Sequence, residues 1–446
     1  MNDASYPQGG KVSIHSPSVC SFDRDDHSIS GLTWLFLDLN SYFASVEQQE
    51  RPHLRGQPTA VVPMRTDSTC AIAASYEAKA YGVKTGTKIY DARKMCPHLK
   101  CVLARHDKYV EYHHKIITAI AKHLPINKIW SIDELSSRLP PRLRNEASAK
   151  EVALRTKQQI WSDVGEAINC SIGVAPNSFL AKVATDLQKP DGLVLLRRQD
   201  LPGPLFDLDL IDLPGINVNM LARLERCGIR TVEQLWHIPA KQARAIWGSV
   251  QGERFWYKLH GYNVPDLPTK NAMIGHSRVL DPDMRIPEKA RQMARRLTVK
   301  ACQRLRRKEF YAGGFVLSVT TVEGFKWARE ARIDPSQDNS TFLELVDELW
   351  DWMMGECSPR RLKKVAVTLH KLRQSGEMTG DLFAQADPDI SRTRERRQAL
   401  SRAMDSLNQK FGMDTIQLGI PPKTMAGYVG TKIAFSRVPD MAEFSD

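Results

Sequence analysis

The sequence predicts a multidomain α+β protein, and three observations carry that prediction. Its 446 residues suffice for about three domains at 100–200 residues each. Over residues 31–202, short apolar runs that read as buried strands alternate with stretches of helical spacing. A similar alternation returns over 271–373, after an all-helical interval at 203–268 whose loops are short.

Residues 1–30 are rich in Ser, Asp, Gly and Pro, and they read as a disordered arm, not a signal peptide. Thr33–Leu37 fits a buried strand, and Ser41 is placed to cap a helix through Tyr42–Glu47 that ends before Pro52. Thr59–Pro63 and Ala71–Ala74 are strand-like and lead to a helix over Tyr76–Tyr81, closed by Gly82. His106–Leu124 has helical spacing in Tyr109, Tyr112, Ile116, Ile120 and Leu124. Asn127–Ile132 and Leu135 are strand-like and flank Asp133-Glu134. Then follow a helix at Val152–Val164, a strand at Cys170–Val174, a helix at Asn177–Leu187 and a strand reaching Leu196. In the helical interval, Leu213-Pro214-Gly215-Ile216 followed by Leu221, Leu224 and Gly228 has the spacing of a helix-hairpin-helix. Exposed amides of such a turn bind phosphate without base preference. Asn217 stands where a second glycine is usual. Pro287–Phe310 and Phe342–Met353 read as amphipathic helices, and Phe315–Val322 and Lys364–Leu372 as strands, giving helix, strand, helix, strand. Residues 374–446 read as a C-terminal extension, of which the last sixty, opening with Asp387–Arg397, are charged and only partly ordered.

Composition narrows the partners. The chain is 42% hydrophobic and 26% charged, with a net charge of +12 and a pI near 9.3. That balance favours a polyanion, either nucleic acid or an anionic membrane surface. No run approaches the ~18 apolar residues of a spanning helix. Between residues 271 and 373, 20 Lys and Arg face 13 Asp and Glu, so more than half the net charge lies in under a quarter of the chain. Such a surface neutralises phosphates and makes affinity fall with salt. Eight scattered cysteines without a C-x-x-C indicate reduced thiols in a cytoplasmic protein, neither a disulfide framework nor a zinc site.

The residues that carry chemistry are three acids. Asp38 ends the apolar run Leu35-Phe36-Leu37, and Asp133-Glu134 lies within Trp130-Ser131-Ile132-Asp133-Glu134-Leu135. A lone acid at a strand end plus a distant acid pair can hold two divalent ions about 3.5–4 Å apart, which clamp the attacking and leaving oxygens of phosphoryl or nucleotidyl transfer. Consecutive strand residues point to opposite faces. Asp133 and Glu134 therefore share a site only at a bend or a strand end.

At this point the chain resembles the Y-family (translesion) DNA polymerases, over most of residues 33–373. Leu37-Asp38-Leu39-Asn40-Ser41-Tyr42-Phe43-Ala44-Ser45-Val46-Glu47 is similar to the family's first palm motif, and Ser131-Ile132-Asp133-Glu134 to its second catalytic motif. Ser75-Tyr76-Glu77-Ala78-Lys79-Ala80-Tyr81-Gly82-Val83 resembles its finger motif. Ile172-Gly173-Val174-Ala175-Pro176, Phe179–Asp186 and Lys189-Pro190-Asp191-Gly192 match a further signature. The extension past residue 373 looks closer to the catalytic subunit of bacterial polymerase V than to the shorter polymerase IV type.

The resemblance implies a right-hand polymerase, with a palm and small fingers at 31–202 and a helix-hairpin-helix thumb at 203–268. A separate α+β little finger would span 271–373. Asp38, Asp133 and Glu134, with the carbonyl of Leu39, would hold two Mg²⁺, for which Mn²⁺ could substitute; hard oxygen donors are what Mg²⁺ prefers. Phe43 would be the steric gate against a ribose 2′-hydroxyl. Tyr42 and Phe43 would line the nucleotide site, and Tyr76, Lys79 and Lys189 would grip the triphosphate. Gly215, Ile216, Arg278, Arg304 and Arg306 would contact DNA. Lys79 replaces the usual arginine, a point charge for a bidentate fork, and Ala73 stands where a phosphate-binding hydroxyl is common. Leu135-Ser136-Ser137-Arg138 departs from the usual sequence behind the acids, which puts the packing of that strand in question. Thr379-Gly380-Asp381-Leu382-Phe383 resembles the sliding-clamp pentapeptide without its leading glutamine, and Asp381, Leu382 and Phe383 would be its anchors.

The expected activity is low-fidelity, template-directed DNA synthesis past damaged bases. Primer-template DNA and dNTPs would be its substrates, with a sliding clamp and SOS-type accessory proteins as partners and no membrane. A noncatalytic polymerase-like scaffold is the alternative, and retention of all three acids argues against it. A nucleotide cyclase, with a similar palm and paired metals, explains neither the helix-hairpin-helix nor the basic module.

Overall fold

The apolar run before Asp38 is a strand, β1 (Trp34–Leu39), in which every residue but Trp34 is buried. The computed structural model describes residues 31–67, 69–266, 272–377, 388–412, 415–419 and 438. They form two compact units that part after Asp266, and the fold is multidomain α+β.

In the first unit β1 is followed by α1 (Tyr42–Glu50), β2 (Thr59–Val62), β3 (Ala73–Ala74), α2 (Tyr76–Lys79), α3 (Ile89–Met95), β4 (Lys100–Leu103) and α4 (His106–Ala121). Then come β5 (Lys128–Ile129), β6 (Glu134–Arg138), α5 (Glu146–Asp163), β7 (Cys170–Ala175), α6 (Ser178–Leu187) and β8 (Leu193–Leu195). The main sheet has the order β5-β6-β1-β7-β8, with β1 central and antiparallel to both β6 and β7. A central strand is covered on both faces, so it reads as a continuous apolar run. Helix α6 begins where the Asn177 side chain accepts the Leu180 amide. It lies close on β7 because position 173 is glycine: a Cβ there would run into the Ala181 carbonyl. A small sheet, β3-β2-β4, encloses its own apolar cluster with α2 and α3.

Two local expectations change. Ser41 precedes α1 but adopts φ 49°, ψ 40° and makes no cap hydrogen bond. This left-handed turn carries its hydroxyl away from the first helical amides; instead the Ser45 hydroxyl donates to the Asn40 carbonyl. Behind the acids, Leu135-Ser136-Ser137-Arg138 keeps an unbroken antiparallel register with β1, from Asp38 opposite Glu134 to Trp34 opposite Arg138. Ser136 is fully buried and its hydroxyl accepts from the Trp130 indole N–H at 2.9 Å. The unusual segment is thus accommodated by a tryptophan from the preceding turn.

The helical interval comprises α7 (Gly203–Phe206), α8 (Val218–Arg226), α9 (Val232–His237), α10 (Ala240–Trp247) and α11 (Val250–Leu259). Its apolar residues Leu205, Leu224, Val232 and Leu259 join one cluster with Phe36, Leu180 and Val183 of the main sheet and α6. The first arm of the expected helix-hairpin-helix is only a single 3₁₀ turn, Leu210–Asp212.

The second unit contains β9 (Met273–Val279), α12 (Pro287–Arg307), β10 (Phe310–Thr321), β11 (Lys326–Ser336), α13 (Asn339–Cys357), β12 (Leu362–Gln374) and α14 (Pro388–Phe411). Four antiparallel strands in the order β11-β10-β12-β9 bury one face against α12 and α13. Strands β9 and β11 were not expected. In β11 the outward residues Lys326, Ala328, Glu330, Arg332 and Asp334 alternate with Trp327, Arg329, Ala331 and Ile333, so Ala328 outward and Arg329 inward break the polar–apolar period of two. The charged run after residue 387 enters a 24-residue helix. The Arg306 guanidinium, with its side chain 6% exposed, binds Asp405 at 2.6 Å, and Arg397 binds Glu344 at 2.8 Å.

Candidate active site

Asp38 and Glu134 face each other across the β1–β6 register, which places two carboxylates from distant sequence side by side. Asp133 lies in the bend just before β6, and Glu134 is that strand's first residue. The bend is fixed from three sides. The Trp130 amide donates to the Glu134 carbonyl at 2.9 Å, and the Leu39 amide donates to the Asp133 carbonyl at 2.9 Å. The buried His113 ring donates from Nδ1 to the Ile132 carbonyl at 2.7 Å. Adjacent acids thus meet one site by the geometric route a strand end allows.

A cavity of about 650 Å³ opens over these acids. Asp38, Leu39, Tyr42, Phe43, Tyr76, Lys79, Asp133, Glu134 and Lys189 all line it. Burial raises the carboxyl pKa of Asp133, and the neighbouring Asp38 charge adds to the rise. Burial likewise raises Glu134, against the opposing pull of Lys182. Burial thus penalises the ionised forms of Asp133 and Glu134, a penalty that a neighbouring cation offsets.

That compensation comes partly from a residue to which sequence reasoning gave no role. Lys182, on α6, contacts Asp38, and its Nζ lies 2.9 Å from Glu134 and 3.6 Å from Asp186. Burial disfavours its charge, but Asp38, Glu134 and Asp186 outweigh burial and raise its pKa. Lys189 reaches Asp38 at 2.9 Å and Asp186 at 2.7 Å. The signal for Lys182 was present in the sequence: four residues from Asp186, it shares that residue's helix face.

At the other end of the cavity Phe43 is half-buried and stacks on Tyr109, with ring centroids 4.2 Å apart and planes 13° apart. The Tyr109 hydroxyl donates to the fully buried Glu47 at 2.9 Å, and Glu47 pairs with Arg105 at 2.9 Å. The ring plane of Phe43 is thereby set by a chain of contacts that starts at a buried ion pair. Tyr42 lines the cavity as expected, though it is 3% exposed and its hydroxyl donates to the Tyr109 carbonyl at 2.6 Å. It braces the wall and offers no free hydroxyl. Lys79 lies with its Nζ 4.2 Å from the Tyr76 ring centre. Burial and then Lys189 lower its pKa, so two ammonium groups converge on one wall. Ala73 contributes no hydroxyl, but Thr85 lines the same cavity.

The remaining predicted residues are dispersed. Gly215 has φ 97°, a conformation that favours glycine. Ile216 is 5% exposed and its amide donates to the Leu213 carbonyl at 3.0 Å, so that amide is not offered to a phosphate. Asn217 caps α8 by accepting the Asn219 and Met220 amides. Arg278 pairs with Asp281 at 3.2 Å, and Arg304 is half-buried on α12. Arg306 is a correction: besides Asp405 it donates to the Gln337 carbonyl at 2.7 Å, so it fastens α14 instead of facing a partner. Asp381, Leu382, Phe383 and residues 1–30 lie outside the described residues.

The donor set fits a hard divalent cation, because the four carboxylates of Asp38, Asp133, Glu134 and Asp186 are hard oxygen donors and outnumber the ammonium groups of Lys79, Lys182 and Lys189. Even so, among the described residues no three acidic, imidazole or thiol side chains are drawn together as a ready coordination shell. The ammonium of Lys182 bridges Asp38 and Glu134, and Asp133 accepts from the Ser131 hydroxyl.

Residues 37–186 match the sequence model of the impB/mucB/samB family, and 272–382 match that family's C-terminal domain. DNA polymerase IV of Moorella thermoacetica is 31% identical over 399 residues, covering 86% of this chain and 95% of the relative. DNA polymerase IV of Pelotomaculum thermopropionicum is 30% identical over 390 residues, covering 86% and 93%. DNA polymerase IV 1 of Bacillus subtilis is 26% identical over 392 residues, covering 86% and 91%. These relatives are of the polymerase IV type, whereas the long extension had suggested polymerase V. Among solved structures, a Y-family DNA polymerase chimera of Dbh and Dpo4 superposes with TM-score 0.65 at 22% identity, over 77% of this chain and 99% of that one. An insertion ternary complex of Dbh DNA polymerase gives 0.51 at 23%, over 77% and 99%. At such identity the structures show the shared fold.

Proposed function

The chain belongs to the impB/mucB/samB family, the polymerase IV type of Y-family DNA polymerase, and from that membership we infer that the cavity at Asp38 is its polymerase active site. It is a DNA-directed DNA polymerase, a nucleotidyltransferase of translesion synthesis and DNA repair. The observation that carries the site reading is convergence: three acids, an aromatic wall and three ammonium groups line one cavity.

Divalent metal dependence goes with the family. In the finer reading Asp38, Asp133 and Glu134, with the Leu39 carbonyl, would hold two Mg²⁺. The bound metal would acidify the primer 3′-hydroxyl and offset the charge of the triphosphate and departing pyrophosphate. Phe43 presents its edge to the sugar, held in plane by Tyr109. Lys79, Lys189 and the Tyr76 hydroxyl bind the triphosphate of the incoming dNTP by charge and hydrogen bonding. The main sheet serves as palm, the β3-β2-β4 region as fingers, α7–α11 as thumb and the second unit as little finger. Primer-template DNA runs over the Gly215 turn and the basic face that includes Arg278 and Arg304. No helix among the described residues is long and apolar enough to cross a membrane; we place the protein in the cytoplasm with its DNA.

The test is primer extension on a DNA template with dNTPs. We expect template-directed addition that EDTA abolishes and that excess Mg²⁺, or Mn²⁺, restores. No extension under any metal condition would favour the noncatalytic scaffold. Beyond the described residues, Asp381-Leu382-Phe383 is proposed to bind a sliding clamp, and SOS-type accessory proteins are proposed as further partners. Leu382→Ala with Phe383→Ala should weaken clamp binding at least tenfold, the loss of two apolar anchors at about 1.4 kcal/mol per decade. Unchanged affinity in a clamp-binding titration would discard the motif.

A further inference from the structure

Lys182 is the most crowded charge in the first unit, and neither substrate grip nor metal ligation gives it a role. Its side chain is 18% exposed, and its ammonium touches three carboxylates that belong to three different elements: Asp38 on β1, Glu134 on β6 and Asp186 on α6. The stem is anchored, because α6 rests on the sheet at Gly173, where no Cβ is tolerated. Buried like charges repel strongly unless a cation lies among them.

We propose that Lys182 is a resident counter-cation, holding the metal-free carboxylates in place and competing with divalent metal for them. The inference rests on the reading of Asp38, Asp133 and Glu134 as the metal site. The charge balance supports it. Four carboxylates, Asp38, Asp133, Glu134 and Asp186, outnumber the ammonium groups of Lys79, Lys182 and Lys189, so the cluster keeps a net attraction for a further cation. For the cluster to accept two ions, an ammonium must withdraw. Lys182 is the one that withdraws, because it alone bridges Asp38 and Glu134. The lack of a ready coordination shell among the described residues follows from the same bridge. An incoming triphosphate offers the displaced ammonium new anionic oxygens, so metal and nucleotide bind with positive coupling. The free enzyme is thereby held in a folded but poorly metallated state until nucleotide arrives.

The experiment measures Mn²⁺ binding to the full-length, metal-free protein by electron paramagnetic resonance, without DNA or nucleotide, alongside thermal melting with and without Mn²⁺. Lys182→Met should bind Mn²⁺ about tenfold more tightly than wild type. It should also melt lower without metal and recover when Mn²⁺ is added. Lys182→Arg, which keeps the charge, should bind as weakly as wild type. Should Lys182→Met fail to fold, Lys182→Gln is read in the same way. Affinity in the neutral variant equal to wild type, or an unchanged metal-free melting temperature, overturns the proposal. Asp38→Asn separates the two readings. If it leaves Mn²⁺ binding intact, the ion is elsewhere and the metal-site reading itself fails, whatever Lys182 does.

Discussion

Replacing Asp133 and Glu134 together by alanine is expected to lower primer extension by about a thousandfold or more, while the protein stays folded. Removing the carboxylates removes the means of stabilising charge at the reacting phosphorus, worth several kcal/mol, and each ~1.4 kcal/mol is a tenfold change in rate. Folding should survive because burial raises both carboxyl pKa values, so the ionised groups oppose folding at neutral pH. The sign follows from linkage: an acid whose folded pKa is raised destabilises the native state progressively as pH rises through that window. In metal-free buffer at neutral pH, the double variant should therefore melt no lower than wild type. It should also lose the corresponding fall in stability above the ordinary carboxylate range. Single-turnover extension and melting curves on the same preparations check both halves. Equal incorporation by the two proteins would remove Asp133 and Glu134 from the chemistry.

Phe43→Ala should admit ribonucleotides. The Phe43 ring cannot retreat, because Tyr109 stacks directly behind it and is itself fixed through Glu47 and Arg105. Forcing an extra atom against a well-packed wall costs about 1–3 kcal/mol, so removing the wall should raise ribonucleotide relative to deoxyribonucleotide incorporation by about tenfold to a hundredfold. Tyr109→Ala should move selectivity the same way by less, since the ring remains but its support is gone. Competition between rNTP and dNTP opposite one template base measures the effect. Selectivity unchanged in Phe43→Ala would show that the sugar is read elsewhere.

Much of this site could be read from the sequence because its chemistry is local. Asp38 follows a run of apolar residues that only a central strand explains, and the need for a bend at Asp133 came from strand geometry alone. Other features depend on contacts across the chain. In the sequence Lys182 shows only its helix-face partner Asp186; its contacts with Asp38 and Glu134 need α6 laid on β1 and β6. Arg306 looked like part of a basic face because its partner Asp405 is 99 residues away. Strands β9 and β11 were hidden because Arg278 and Arg329 take inward positions while Val279 and Ala328 take outward ones, which breaks the alternation a one-sided sheet otherwise shows. Ser41 has the composition of a helix cap, but its backbone is left-handed, which no propensity scale anticipates.

The bend at Ser131–Asp133 also has a consequence for inheritance. It hands the chain to β6 so that Glu134, not a neighbour, lies opposite Asp38. Because side chains alternate along a strand, one residue gained or lost there would turn Glu134 to the other face. The sheet could re-pair by slipping and the protein could still accumulate, soluble and inert. Length in this short segment should therefore be under tighter selection than the identity of most residues in it, and a single-codon insertion there would be a silent-looking null allele.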